Sequence, residues 1–241
     1  MRNKKYFNLF FPAFCGLFFL TSCLEEGRNV LINYSGYGVV EKKAGLLLIN
    51  TPNGYFFYEE WQRNQDEWEN NTPVSFYYDL DLDNQASSDY YTVVIKDCIV
   101  LETYFPKQKD EDVNIDEVVP LDSLILRSDT LFYPLCFFRA TWSEENKFDY
   151  DILYSKDELN KNLFHVTVMP MLKEGTGTKY EEDFVIDFYE LINREGINSS
   201  LRDSLLVDIN YISGKNANEA PQYKKLDKTL LLWKSPPKPK E

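Results

Sequence analysis

Strict alternation of apolar and polar side chains, repeated in segment after segment, is the feature that most narrows the folds open to this chain. Phe148, Tyr150, Ile152 and Tyr154 are interleaved with Asp149 and Asp151, and Leu205, Val207, Ile209 and Tyr211 with Asp208 and Asn210. A period of two sends successive side chains to opposite faces of a strand, so each segment has one face for a core and one for water. Antiparallel sheets stacked as a sandwich use that pattern. Tyr and Phe, 17 of each, join Val, Ile and Leu as residues that suit a pleated, half-buried surface. An all-β protein is expected.

The first half predicts five strands, over residues 30–37 continuing to 41, 45–50, 54–60, 74–83 and 90–105. Thr51-Pro52-Asn53-Gly54 joins the second and third as a tight hairpin, with Asn-Gly supplying positive φ. Trp61, Gln65 and Trp68 fall at helical spacing and predict a short helix presenting its tryptophans to a core. A helix between the third and fourth of five strands is the order of an OB-type barrel. The fifth strand carries Tyr91, Val93, Ile95, Ile99, Leu101 and Phe105 on one face, with Asp97 predicting a bend or bulge. Residues 108–120, with Asp110, Glu111, Asp112, Asp116 and Glu117, read as an acidic linker.

Beyond the linker, strands are expected at 124–126, 131–142, 148–154, 163–169, 180–191, 204–212 and 229–233. The domain organisation predicted is a signal at 1–22, a tether at 23–29, an OB-like barrel at 30–107, the linker, an antiparallel β-sandwich at 121–234, and a mobile Pro-rich tail at 235–241.

The N-terminus reads as an address. Arg2, Lys4 and Lys5 precede the apolar run 6–20, which ends at Leu20-Thr21-Ser22-Cys23. That order is a secretory signal, too short and too interrupted by Pro12 for the roughly 20 apolar residues of a membrane span. Leu-Thr-Ser-Cys resembles the bacterial lipobox, whose cysteine becomes the lipidated first residue, so Cys23 is the expected lipid anchor and membrane contact. Glu25 and Glu26 resemble an export signal to the outer face of the outer membrane; a solvated tether is the alternative.

Loss of residues 1–22 removes three basic groups and leaves 23 basic against 39 acidic residues, a net charge of −16. That charge strongly disfavours nucleic acid or anionic lipid as a partner, and no nucleic acid is expected, because binding a polyanion depends on Lys and Arg displacing counterions. Of the four cysteines, Cys98 and Cys136 remain, and the packing of Cys136 with Phe138, Ala140 and Trp142 favours free thiols over a disulfide.

No catalytic constellation emerges. His165 is the only histidine and points away from Phe164, Val166 and Val168. A histidine triad needs a nucleophile in reach, zinc sites need several His or Cys ligands, and His165 reads as a structural or surface residue. Asp79, Asp81 and Asp83 alternate on one strand face and are the candidate calcium ligands. A calcium loop starting at Asp79 would need Gly at position 84 and Glu at position 90, where Asn84 and Tyr90 stand, so a solvated strand end is the plainer reading. Paired carboxylates for glycoside hydrolysis always find candidates among 39 acids. Gly36-Tyr37-Gly38 and Gly175-Thr176-Gly177 lack the context of a dinucleotide loop. No cofactor is expected. Ser123, Thr130 and Ser204 sit in Asp-Ser/Thr-Leu triplets that resemble O-glycosylation acceptors of the Bacteroides group.

A lipobox, an OB-sized β domain, a polar linker and a C-terminal sandwich, with stretches such as Gly45-Leu-Leu-Leu-Ile-Asn-Thr-Pro-Asn-Gly54, resemble the NigD-like lipoproteins of the Bacteroides group. That resemblance implies an envelope lipoprotein, with a proposed immunity role against bacteriocins and no catalytic residues to carry over. Three functions follow as expectations: a non-enzymatic module binding a protein or peptide; a glycan binder, if Trp61, Trp68, Tyr77 and Tyr78 form an exposed platform; and a carboxylate hydrolase. The first ranks highest and the last lowest.

Overall fold

A computed structural model describes residues 30–83, 85, 87–109, 118–128, 134–146, 148–160, 162–172, 179–194, 204–217, 220–227 and 229–233. The all-β class holds, as a closed barrel followed by two stacked sheets.

The barrel is built from β1 (Val30–Lys43), β2 (Leu46–Thr51), β3 (Gly54–Phe57), β4 (Thr72–Asp81) and β5 (Tyr91–Val100), closed in the order β1-β2-β3-β5-β4. Closure depends on the length of β1, which pairs with β4 from Val30 to Val40 and with β2 from Val39 to Lys43. A bulge at Asn33 (φ 56°) bends its first half. Ala44 (φ 51°) and Gly45 (φ 79°) make the turn into β2, the two positive φ values of a type I′ hairpin. In the next hairpin the Thr51 hydroxyl accepts from the Asn53 N–H and donates to the Gly54 carbonyl. Gly54 takes positive φ there (115°) and Asn53 does not.

The predicted helix is a 3₁₀ helix, Glu59–Glu67, kinked at Asn64. Gln62 pins it to the barrel, since its side chain accepts from the Leu47 N–H (3.0 Å) and donates to the Leu47 carbonyl (2.8 Å). Trp61 and Trp68 lie half-buried against the barrel core of Val40, Leu47, Ile49, Phe56, Phe76 and Tyr78.

The predicted single strand 90–105 divides. The register between β4 and β5 shifts at Tyr77/Tyr78, leaving Lys96 as the extra residue beside Asp97. One extra residue reverses which face each following side chain takes. Cys98 therefore packs against the core while Ile99 is exposed. After Val100 the chain leaves the barrel. Thr103–Tyr104 (β6) and Lys107–Gln108 (β7) pair with strands of the second unit.

That unit comprises β8 (Ser123–Ser128), β9 (Leu135–Asn146), β10 (Phe148–Lys156), β11 (Leu163–Leu172), β12 (Lys179–Asp187), β13 (Ser204–Lys215), β14 (Pro221–Lys225), β15 (Leu230–Trp233) and helix α1 (Tyr189–Arg194). One sheet runs β14-β13-β11-β10-β7 with β15 also on β13, the other β6-β12-β9-β8. Between them lies one core, including Phe138, Phe148, Ile152, Phe164, Phe184 and Ile209. The sandwich is not purely antiparallel. β13 runs parallel to β11, and β6 and β7 parallel to β12 and β10. Alternation reveals which face a residue takes and says nothing of strand direction. The chain crosses to the other sheet as β12 before returning as β13, which is how a parallel neighbour is reached.

Two further departures have local causes. Residues 180–191 do not form one strand, because Phe188, Leu191 and Ile192 follow helical spacing into the core and the Asp187 carboxylate accepts from the Tyr189 N–H (2.8 Å) to turn the chain. β14 is a largely exposed edge strand without alternation, so the pattern gave no sign of it. Lys109 donates its N–H to Tyr154, and Val118 packs with Leu153, Met169 and Ile212, so both ends of the stretch 108–120 join the sandwich. The linker acids Asp110 to Glu117, the leader, the tether and the Pro-rich tail lie outside the described residues.

Candidate functional site

Barrel and sandwich meet along β1 and β9. Val39, Leu101, Phe137 and Val185 form a small buried cluster there. The Tyr37 ring stacks obliquely on Phe137 (5.3 Å between centroids), and its hydroxyl donates to the Arg127 carbonyl (2.6 Å). Arg139 grips Asp183 with two parallel bonds of 2.7 Å, and the Ser75 hydroxyl of the barrel donates to the same carboxylate at 3.4 Å. Hydrogen bonding to Asp183 raises the Arg139 pKa further, so the guanidinium stays charged despite partial burial.

Beside this contact a cleft of about 530 Å³ opens. The barrel contributes Val39, Glu41, Asn50, Asn71 and Pro73, and the second unit contributes Thr103, Phe105, Pro134, Leu135, Asp187 and Tyr189. The two aromatics are presented to solvent, Phe105 at 49 % and Tyr189 at 60 % exposure. Asn71 is held in the left-handed region (φ 68°) by donating its N–H to the Val40 carbonyl (2.8 Å). Glu41 accepts from the Asn50 amide (2.9 Å) and from the Tyr55 hydroxyl (3.4 Å). Burial pushes the Asp187 carboxyl up, offset in part by the Tyr189 N–H. Among the described residues the lining carries two carboxylates and no basic side chain. Its chemistry suits a neutral or cationic ligand with apolar groups for Phe105, Leu135 and Tyr189. Interfaces between domains are preferred places for such clefts.

The residues singled out from sequence are dispersed. Cys23 and Thr130 lie outside the described residues, and Ser204 is described only through its backbone pairing with Trp233. Ser123 shares a 2.7 Å hydrogen bond with the Thr141 hydroxyl on the neighbouring strand. Asp79 binds the Lys96 ammonium (2.8 Å) and the Asn33 N–H (2.8 Å), both of which lower its pKa. Asp81 accepts from the Asp83 N–H (3.1 Å). Among the described residues no three His, Cys, Asp or Glu side chains gather to hold a metal ion.

His165 sits with Nε2 3.0 Å from Asp157 and Nδ1 3.9 Å from the buried Asp208. Asp208 in turn accepts from Lys225 (2.7 Å) and from the Thr229 hydroxyl. The cluster ties β13 and β14 to β11. Cys98 and Cys136 form no disulfide, and burial pushes the Cys98 thiol up to about 12.

The four aromatics proposed as a platform separate. Tyr78 is buried in the barrel core, Tyr77 is exposed on the outer wall, and Trp61 stacks on Trp68 beside the 3₁₀ helix. Conversely, Phe105, Asn71, Asp187 and Tyr189 carried no local sequence signal, because the cleft exists only where two units meet.

No family model matches the sequence, and no curated protein matches it. Solved structures do. An uncharacterized protein from Parabacteroides merdae is 12 % identical, with 84 % of this chain and 99 % of that one aligned at a TM-score of 0.57. A candidate lipoprotein from Bacteroides fragilis is 10 % identical, with 84 % and 98 % aligned at a TM-score of 0.55. A NigD-like immunity protein from Bacteroides caccae, 13 % identical, aligns over 80 % of this chain and 93 % of its own at a TM-score of 0.48. The two-unit fold described above is therefore one that occurs in proteins of the Bacteroides group.

Proposed function

We propose that this chain is a non-enzymatic lipoprotein of the cell envelope, anchored to the outer membrane through Cys23, that holds a segment of a protein or peptide in the cleft between barrel and sandwich. The observation that carries the reading is the cleft itself: Phe105 and Tyr189 stand exposed over an apolar floor of Val39 and Leu135, with Asn50 and Asn71 as hydrogen-bonding groups. Exposed aromatics beside polar amides are the usual composition of protein recognition surfaces. An immunity role against a bacteriocin follows from the resemblance in sequence layout to NigD-like lipoproteins. Glu41 and Asp187 come from opposite walls, yet the Glu41 carboxylate is engaged by Asn50 and Tyr55 and the Asp187 carboxylate by the Tyr189 N–H. Their engagement as hydrogen-bond acceptors within the walls supports the binding reading over a hydrolytic one.

The test places a photocrosslinking amino acid at Tyr189, and at the exposed Tyr223 of β14 as a control, in the cells that produce the protein. A discrete crosslinked polypeptide at Tyr189 and none at Tyr223 is expected. Equal labelling at both positions refutes the cleft, and retention on a glycan array without a crosslinked polypeptide transfers the site to a sugar. Incorporation of labelled palmitate that persists in Cys23→Ala would overturn the anchor, and cell-surface proteolysis separates the two faces of the membrane.

A further inference from the structure

A second pocket, of about 450 Å³, lies in the barrel between the 3₁₀ helix and β5. One wall is aromatic. Trp61 and Trp68 stack with ring centroids 4.1 Å apart at 30°, and Tyr58 stands edge-on to Trp61 at 5.9 Å. Both indoles line the pocket and are only half-buried, with Ile95 and Cys98 opposite. The rim carries three carboxylates, Glu60, Glu67 and Asp97, against one amine. That amine, Lys96, is already engaged by Asp79 and Asn33, each at 2.8 Å. Glu60 accepts from the Tyr58 hydroxyl (2.7 Å), which with burial pushes that phenol up to about 12 and keeps it a neutral donor. Glu67 and Asp97 stand exposed at the mouth.

The π faces of indole carry partial negative charge and attract cations. An indole pair beneath a carboxylate rim therefore selects against anions by charge and against purely apolar groups by the cost of burying carboxylates without a partner. We propose that this pocket binds an organic cation, and that its occupant is an arginine side chain of a partner. A planar guanidinium stacks on an indole face and still directs its N–H groups outward to carboxylates, which a compact, strongly hydrated ammonium does less well. This site is separate from the interdomain cleft and stands whether or not that cleft holds a peptide.

The experiment titrates the mature chain with N-acetyl-arginine amide, N-acetyl-lysine amide and N-acetyl-citrulline amide, following the indole N–H resonances of Trp61 and Trp68, assigned through Trp61→Phe and Trp68→Phe. Saturable shifts of these two resonances with the arginine derivative are expected. Citrulline, the same shape without the charge, should bind about fivefold or more weakly. The double variant Glu67→Gln/Asp97→Asn should weaken arginine binding by about three- to tenfold and leave citrulline unchanged. Both substitutions are at exposed positions, and an unchanged melting temperature confirms the fold. Shifts that stay linear, citrulline binding equal to arginine, or a double variant binding arginine as the native chain does would each overturn the site. Lysine binding as tightly as arginine would overturn the assignment to a guanidinium.

Discussion

Adding a single methyl group at Gly38 should loosen the whole barrel. A Cβ at that position would lie 2.3 Å from the Asn50 carbonyl oxygen, 2.8 Å from Ile49 Cγ2 and 3.2 Å from the Asn50 carbonyl carbon. The nearest atom is backbone of β2, held in place by the pairings Val39↔Asn50 and Val40↔Ile49, so no side-chain rotation relieves the contact. The two strands must move apart by roughly 1 Å to restore ordinary packing. Overpacking of this kind costs about 1–3 kcal/mol, and weakening one ladder hydrogen bond adds about 1 kcal/mol. The sum, about 2–4 kcal/mol, corresponds to a fall in Tm of roughly 10–20 °C for a unit the size of the barrel. Thermal and urea unfolding of Gly38→Ala, followed by circular dichroism, measures it. Gly214→Ala is the control, since its Cβ would meet only the end of the Gln222 side chain at 3.4 Å and should change stability by less than about 0.5 kcal/mol. Val39 and Asn50 also line the cleft, so crosslinking at Tyr189 should weaken in Gly38→Ala. A Tm within about 2 °C of the native value would refute the close approach of β1 and β2 on which the cleft wall depends.

Ala44 pays for its left-handed backbone (φ 51°), so Ala44→Asn should stabilise the barrel by about 0.5–1 kcal/mol, read as a higher urea midpoint. Arg139→Met leaves the mostly buried Asp183 without its guanidinium and should cost about 1–3 kcal/mol, whereas Arg139→Met/Asp183→Leu should recover most of that loss; a double-mutant cycle in urea checks both. The His165 side chain, then the N–H groups of Asn160 and Leu159, lower the pKa of Asp157. A depressed folded pKa means that this stability is present above the unfolded value near 3.8 and is lost as pH falls through the folded value. Asp157→Asn should therefore have the lower urea midpoint at pH 6 to 7, with the gap closing below about pH 4. With its thiol pushed up to about 12, Cys98 should react with iodoacetamide at pH 8 much more slowly than a free cysteine, and at the free rate once urea unfolds the barrel.

Much of this architecture is local information. Alternation in residues 148–154 and 205–211 places the core face correctly, with Phe148, Tyr150, Ile152, Tyr154, Leu205, Val207, Ile209 and Tyr211 all buried, but the opposite face is not all wet, since Leu153 and Asp208 are buried on it. The barrel follows from five apolar segments, one helical interruption and the tight turn at Thr51–Gly54, each set by neighbours within a few residues. The same holds for the orientation of His165 and for Cys136 among Phe138, Ala140 and Trp142. What pattern could not reach was anything decided by a partner distant in sequence. The bulge at Lys96 reverses the faces of Cys98 and Ile99, which only the register against β4 determines. The return of β13 beside β11 in parallel depends on β12 crossing to the opposite sheet. Trp61 and Trp68 have helical spacing in the chain, but whether they end in a core or as the wall of a pocket depends on how far β5 stands from the 3₁₀ helix.

The sequence by itself thus determines an acidic, all-β protein with an OB-type barrel first and a sandwich second, because hydrophobic period and turn chemistry act over two to five residues. Tertiary structure alone decided that Val39 and Asn71 would face Phe105 and Tyr189 across a cleft. Such a surface is made by the docking of two units, and docking depends on shape and charge summed over residues that the chain keeps far apart.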